Sequence, residues 1–164
     1  MLAMDLIEIW RHRTKEDKAA LKRLLAQIAK SKSKKINQIA DKIHEEVFQE
    51  IDCLDCANCC KCIPPILNEM DIKKAAKFLG MKPSNFKNQY IRIDEDMDMV
   101  MISSPCPFLE NDNKCSIYDS RPRACREYPH TDNYEFQQNI KLHLNNSDYC
   151  PAVYHILDRM QKQE

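Results

Sequence analysis

Apolar residues recur along the first fifty positions at the three- and four-residue steps of an amphipathic helix. Leu21, Leu24, Leu25 and Ile28 share one face, and the spacing predicts a helix through residues 1–30. Leu6, Ile9 and Trp10 add an apolar stripe near its start. After a lysine-rich break, SKSKK (31–35), the residues Ile36, Ile39, Ile43, Val47, Phe48 and Ile51 predict a second helix over 36–51. Asn68, with Asp71 three residues on, reads as the N-cap of EMDIKKAAKFLG, and Gly80 as its stop. Pro83 and Ser84 open a short helix, SNFKNQYI. The period then changes to two: IRIDEDMDMVMI predicts a small hairpin around an acidic turn. NDNK predicts a tight turn between Phe108-Leu109 and Ser116-Ile117, and FQQNIKLHL (136–144) reads as a further strand. A last helix starts at Tyr149 or Cys150, with Pro151 in its first turn. The expected fold is mainly α with small β-hairpins, an irregular α+β arrangement. Its expected organisation is an N-terminal helical arm (1–50) and a second domain (51–164).

Composition narrows the function classes. Lys+Arg and Asp+Glu balance at 25 each, so the chain lacks the basic excess of a dedicated nucleic-acid protein. A local basic stretch does exist: between Arg11 and Lys35 only Glu16 and Asp17 are acidic. No aromatic platforms for base stacking accompany it, so a solvated helix face is the expectation, and nucleic acid is not an expected partner. The segment MLAMDLIEIWRHRTKED has no secretory leader pattern, and no run approaches the roughly 18 apolar residues of a membrane span. The expected compartment is the cytoplasm, where thiols stay reduced. A single glycine, Gly80, excludes the glycine-rich phosphate-cradling loops of Rossmann and P-loop sites.

The chemistry then rests on nine cysteines. Cys53, Cys56, Cys59, Cys60 and Cys62 crowd into CLDCANCCKC, Cys106 and Cys115 flank the predicted turn, and Cys125 and Cys150 stand apart. In a reduced compartment such clustering points to metal ligation before disulfides. Burial as small hydrophobes explains one or two cysteines, not five in ten residues beside Asp55, Asn58 and Lys61. Four thiolates close a zinc site at roughly 2.3 Å per Zn–S bond. Cys53, Cys56 and Cys59 equally reproduce the first three positions of a ferredoxin-type [4Fe-4S] motif, with Cys106 or Cys150 to supply the fourth. Either centre carries a net charge of about −2 that favours nearby cations. Arg121, Arg123 and Arg126 bracket Cys125, and Arg123 and Arg126 are the candidates to support the cofactor from behind its ligands. With helices few and loops irregular, metal coordination is expected to contribute directly to folding. Asp94, Glu95, Asp96 and Asp98 read as a solvated turn rather than a calcium loop.

Five pieces taken together resemble a known family: CLDCANCC (53–60), PCPFL (105–109), CSIY (115–118), RPRACREYP (121–129) and Cys150-Pro151. In this order they resemble the CxxCxxCC cysteine-cluster family of zinc- or iron-chelating domains, over roughly residues 50–151. The resemblance implies a ligand set of eight: Cys53, Cys56, Cys59, Cys60, Cys106, Cys115, Cys125 and Cys150. Cys62 is extra. Zinc is favoured over iron because two four-thiolate sites use all eight. The expected function is therefore metal chelation through clustered thiolates, without an assigned catalytic residue. Two alternatives follow. One is an iron–sulfur redox protein or iron–sulfur-dependent modifying enzyme, since a flagellin lysine-methylating enzyme shares a related motif. The other is an interaction adaptor that contacts a protein partner through the basic N-terminal helices.

Overall fold

The computed structural model describes residues 3–33, 35–132 and 136–162. Of the predicted break at 31–35, Lys34 lies outside the described residues. The chain forms two compact units, one made of Met1–Cys56 with Pro129–Glu164 and the other of Ala57–Tyr128.

The first unit is helical. α1 (Ala3–Arg11) and α2 (Lys15–Lys30) replace the single helix predicted over 1–30. The interruption has a local cause. Thr14 adopts extended geometry, its hydroxyl accepts the Asp17 amide at 3.1 Å, and Asp17 in return accepts the Thr14 amide at 2.7 Å. This capping box satisfies amides that a continuous helix would have bonded internally, at a gain of about 1 kcal/mol. α3 (Lys35–Glu50) follows, then the single turn α4 (Cys53–Cys56). Residues 136–144, expected as a strand, are instead a 3-10 turn (Phe136–Asn139) running into α9 (Ile140–Asn146). Phe136, Ile140, His143 and Leu144 all meet the core, a helical spacing that the apparent alternation of FQQNIKLHL hid. α10 (Pro151–Gln161) is buried on most sides and packs against α1, α2, α3 and α9.

Seventeen buried apolar residues form this unit's core, among them Leu25, Ile43, Val47, Phe136, Ile156 and Leu157. That core is larger than the helix count of the sequence suggested. Several of its polar groups are paired across long sequence separations. Trp10 Nε1–H donates to the Ser147 carbonyl at 2.9 Å, and His155 Nε2–H to that of Leu6 at 2.7 Å. Arg159 grips Glu50 with two bonds of 2.8 Å, tying the end of α10 to the end of α3. Within the predicted stripes Ile9 and Ile39 are exposed, so the buried faces are narrower than the apolar pattern.

The second unit starts with α5 (Asn58–Cys62) and continues through α6 (Glu69–Phe78) and α7 (Pro83–Tyr90) to the predicted hairpin, β1 (Ile91–Ile93) and β2 (Met99–Met101). The strands pair antiparallel, Ile91 opposite Met101 and Ile93 opposite Met99. The segment after α5 runs beside β2: the Leu67 amide bonds the Met99 carbonyl and the Met101 amide the Pro65 carbonyl. Asn68 caps α6 through a reciprocal bond with Asp71, as predicted. Gly80, at φ +67, ends it in a Schellman turn: its amide bonds the Lys77 carbonyl and the Met81 amide that of Ala76. The NDNK turn is present, with Leu109 bridged to Cys115, and a 3-10 turn (Tyr118–Ser120) leads to α8 (Arg123–Glu127). The apolar core here is small, eight buried residues centred on Phe86, Phe108, Ile72 and Ile117.

Candidate metal centre

None of the nine cysteines forms a disulfide. The crowded stretch is two short helical turns rather than a loop. Between them Ala57 sits in the left-handed region at φ 48, a conformation that costs an L-residue roughly 1–2 kcal/mol. The following turn presents Cys59 and Cys60, whose sulfurs lie 4.0 Å apart. Cys62, at the end of that turn, is exposed and its thiol donates to Asn58 Oδ1 at 3.5 Å.

In the second unit four segments bring thiols together. Cys60 comes from α5, and its carbonyl accepts the Cys106 amide at 2.9 Å. Cys106 lies in a proline-flanked loop whose Ser104–Pro105 bond is cis. Cys115 follows the NDNK turn, and Cys125 rides on α8. The placement of α8 has a specific cause. The buried Asp71, already the N3 partner of the α6 cap, also accepts the Arg123 amide at 3.0 Å, so one carboxylate holds the starts of both helices.

These four thiols act on one another. Burial pushes Cys125 up to about 12, and the charges of Cys60, Cys106 and Cys115 add to the shift. Burial also raises Cys106, with Cys115 and Cys60 adding to it and the amides of Phe108 and Leu109 opposing. Cys115 is raised by burial and by Cys60, against the Ile117 amide and Arg121. Cys60 alone is pulled down, to about 7, by the Cys59 thiol first and then, against burial, by Lys61 and Arg121. Burial and neighbouring thiols thus favour the protonated form of Cys106, Cys115 and Cys125, and a bound cation would oppose that. Among the described residues no three His, Cys, Asp or Glu side chains stand close enough together to hold a metal ion as they are placed. The thiols are gathered, not clamped.

In the first unit Cys150 lies at the N-terminus of α10. It is raised to about 12 by burial, with the charges of Cys53 and Cys56 adding to the effect. Those two thiols occupy the ends of α4.

The three arginines have different settings. Arg123 pairs with Glu127 at 2.5 Å in an exposed position. Arg126 donates to the Arg121 carbonyl at 2.5 Å and so orders the loop before Cys125. Arg121 lies over the Tyr118 ring, 3.6 Å from guanidinium carbon to centroid, with Nε and Nη1 buried and lacking any hydrogen-bond partner. The sequence names all three arginines around Cys125 but does not rank Arg121 above Arg123 and Arg126. The one legible sign of Arg121 was the proline after it, which holds residue 121 in extended geometry. Sequence reasoning also missed Asp71 as an anchor for α8, since that bond spans 52 positions.

The donor set of sulfurs, the amides that favour their charge, and a guanidinium with open donors all suit a thiolate-bound cation. These are the features of a cysteine-cluster protein. Residues 52–151 match the CxxCxxCC family, described as "Putative zinc- or iron-chelating domain", and the chain belongs to that family. No curated protein and no solved structure matches the chain. Among the described residues no helix is long and apolar enough to cross a membrane.

Proposed function

We propose that the chain chelates zinc through its clustered cysteines, and that Cys60, Cys106, Cys115 and Cys125 form one four-thiolate centre. The observation that carries this is how one unit ties the four cysteine segments: the Cys60 carbonyl accepts the Cys106 amide, Cys115 bridges to Leu109, and Asp71 anchors the helix of Cys125. Cys53 and Cys56, at the ends of α4, and Cys150, at the N-cap of α10, belong to the other unit and form a second cysteine group. Zinc is preferred over an iron–sulfur cluster because four thiolates complete its tetrahedral shell without sulfide. A bound divalent cation supplies positive charge that keeps the thiols ionised and cross-links segments that little apolar surface holds. The residues themselves do the rest. Asp71 fixes the start of α8 and hence Cys125, and the Cys60 carbonyl fixes the Cys106 loop. A four-thiolate shell has no open position for substrate, so the role is structural or storage rather than catalytic.

The test is the metal content of the purified full chain and of single and paired Cys→Ser variants. Ligands of one centre act as a unit. Each of Cys60→Ser, Cys106→Ser, Cys115→Ser and Cys125→Ser should remove the same equivalent of zinc, and any pair of them should remove no more. Cys62→Ser should remove none. Independent, additive losses across the four would refute the shared centre. A brown, iron-containing protein would replace zinc by the iron–sulfur reading.

A further inference from the structure

We propose that Arg121 donates hydrogen bonds to the thiolates of the Cys60–Cys106–Cys115–Cys125 centre and thereby sets its metal affinity. This rests on the four-thiolate reading above. The observation that motivates it is independent of that reading: two guanidinium nitrogens, Nε and Nη1, are buried without an acceptor. An unsatisfied buried donor costs about 1–3 kcal/mol, more when charged, so native structures rarely leave two on one side chain. The Tyr118 ring beneath the guanidinium takes its flat face but accepts nothing along its N–H edges. Among the described residues no carboxylate is paired with Arg121, and Glu127 is engaged by Arg123. The thiols flank it: Tyr118, under the guanidinium, bonds the Cys115 carbonyl through its amide at 3.1 Å, and the Cys125 amide bonds the carbonyl of Pro122, the next residue, at 3.0 Å.

The backbone aims the side chain. The Arg121 amide bonds the Tyr118 carbonyl at 3.3 Å, its own carbonyl is held by Arg126, and Pro122 fixes its extended conformation. A planar, always-charged fork held in this way donates along two directions to soft anionic acceptors, which a lysine cannot do. Charge balance follows: a four-thiolate divalent centre carries about −2, and Arg121 cancels part of it at close range. Arg123 and Arg126, committed to Glu127 and to the loop, do not share this task.

The test compares Arg121→Gln, Arg121→Lys and Arg123→Gln in the full chain. Zinc affinity is read by competition with a chromogenic chelator. The sulfur-to-metal charge-transfer band is read after loading with cobalt(II). Arg121→Gln should weaken zinc binding by about ten- to hundredfold, the usual loss for a partner behind the ligands, and should shift the band. Arg121→Lys should recover part of the affinity but not the band position. Arg123→Gln should match the parent chain in both. If Arg121→Gln fails to fold, Arg121→Lys still decides through its band, with helical circular dichroism as the check on folding. A parent-like affinity and band in the Arg121 variants would overturn the inference alone. A parent chain that takes up neither zinc nor cobalt would overturn the four-thiolate reading with it.

Discussion

The two units of this chain solve the same problem by different chemistry. Among the described residues, the unit of Met1–Cys56 and Pro129–Glu164 gathers seventeen buried apolar residues into one core cluster. The cluster in the unit of Ala57–Tyr128 holds eight, and that unit carries six of the nine cysteines. At about 25 cal/mol per Å² of apolar surface, the first has ample hydrophobic drive, whereas the second sits in the size range where metals or disulfides commonly supplement a core. Its proline-rich loops also contribute few ladder or helix bonds. The lesson is that clustered cysteines appear where the apolar core thins out.

The largest expected effect separates the two units outright. Removing metal with a strong chelator should unfold residues 57–128, while the helices of the other unit persist. Amide hydrogen exchange resolves this by segment: protection should vanish in α6, α7 and the hairpin and survive in α3 and α10. Uniform loss across the chain would erase the contrast.

The converse experiment attacks the apolar unit. Phe136→Ala empties a fully buried ring that stacks on His143 at 4.1 Å, and should cost about 3–5 kcal/mol. Metal content should not change. A matching loss of metal would show that the apolar unit does not stand on its own packing.

A third effect is acid sensitivity in the helical unit. His143 is fully buried, donates Nε2–H to the Phe136 carbonyl at 3.0 Å, and is held down to about 4, chiefly by burial. Burial lowers His155 as well. Because the folded ring resists protonation, the unfolded chain binds more protons between about pH 6.5 and 4. Stability is therefore full above pH 6.5 and falls as the pH drops through that window, by up to about 3 kcal/mol for His143. Urea melts of the chelated chain, parent against His143→Phe, should show the slope in the parent and a shallower one in the variant. Equal slopes would exclude His143 as the source.

The smallest effect is local. Gly80→Ala adds a Cβ that meets nothing within 4 Å, so only the φ of +67 resists it. The cost should be about 1 kcal/mol, read as a small fall in the thermal midpoint without metal loss. A much larger fall would point to packing that the open space around Gly80 does not contain.

Much of this was legible beforehand. The Asn68–Asp71 cap, the Gly80 stop, the 91–101 hairpin and the NDNK turn are short-range features, encoded by residues three or four apart, and each formed as read. Long-range features were not. Nothing near Asp71 reveals that it also holds Arg123, and nothing near Arg121 reveals which of three arginines faces the thiols. The Thr14 cap was present in the sequence as T-x-x-D but was overridden by the continuous apolar stripe around it. The 136–144 error came from counting alternation in a segment too short to separate period two from period 3.6.

The central claim is that four thiols of the smaller unit share one metal. Elemental analysis of the Cys125→Ser chain beside Cys60→Ser/Cys125→Ser measures it most directly. The account predicts the same zinc deficit in both; a deeper deficit in the double variant, or full zinc in the single one, would contradict it.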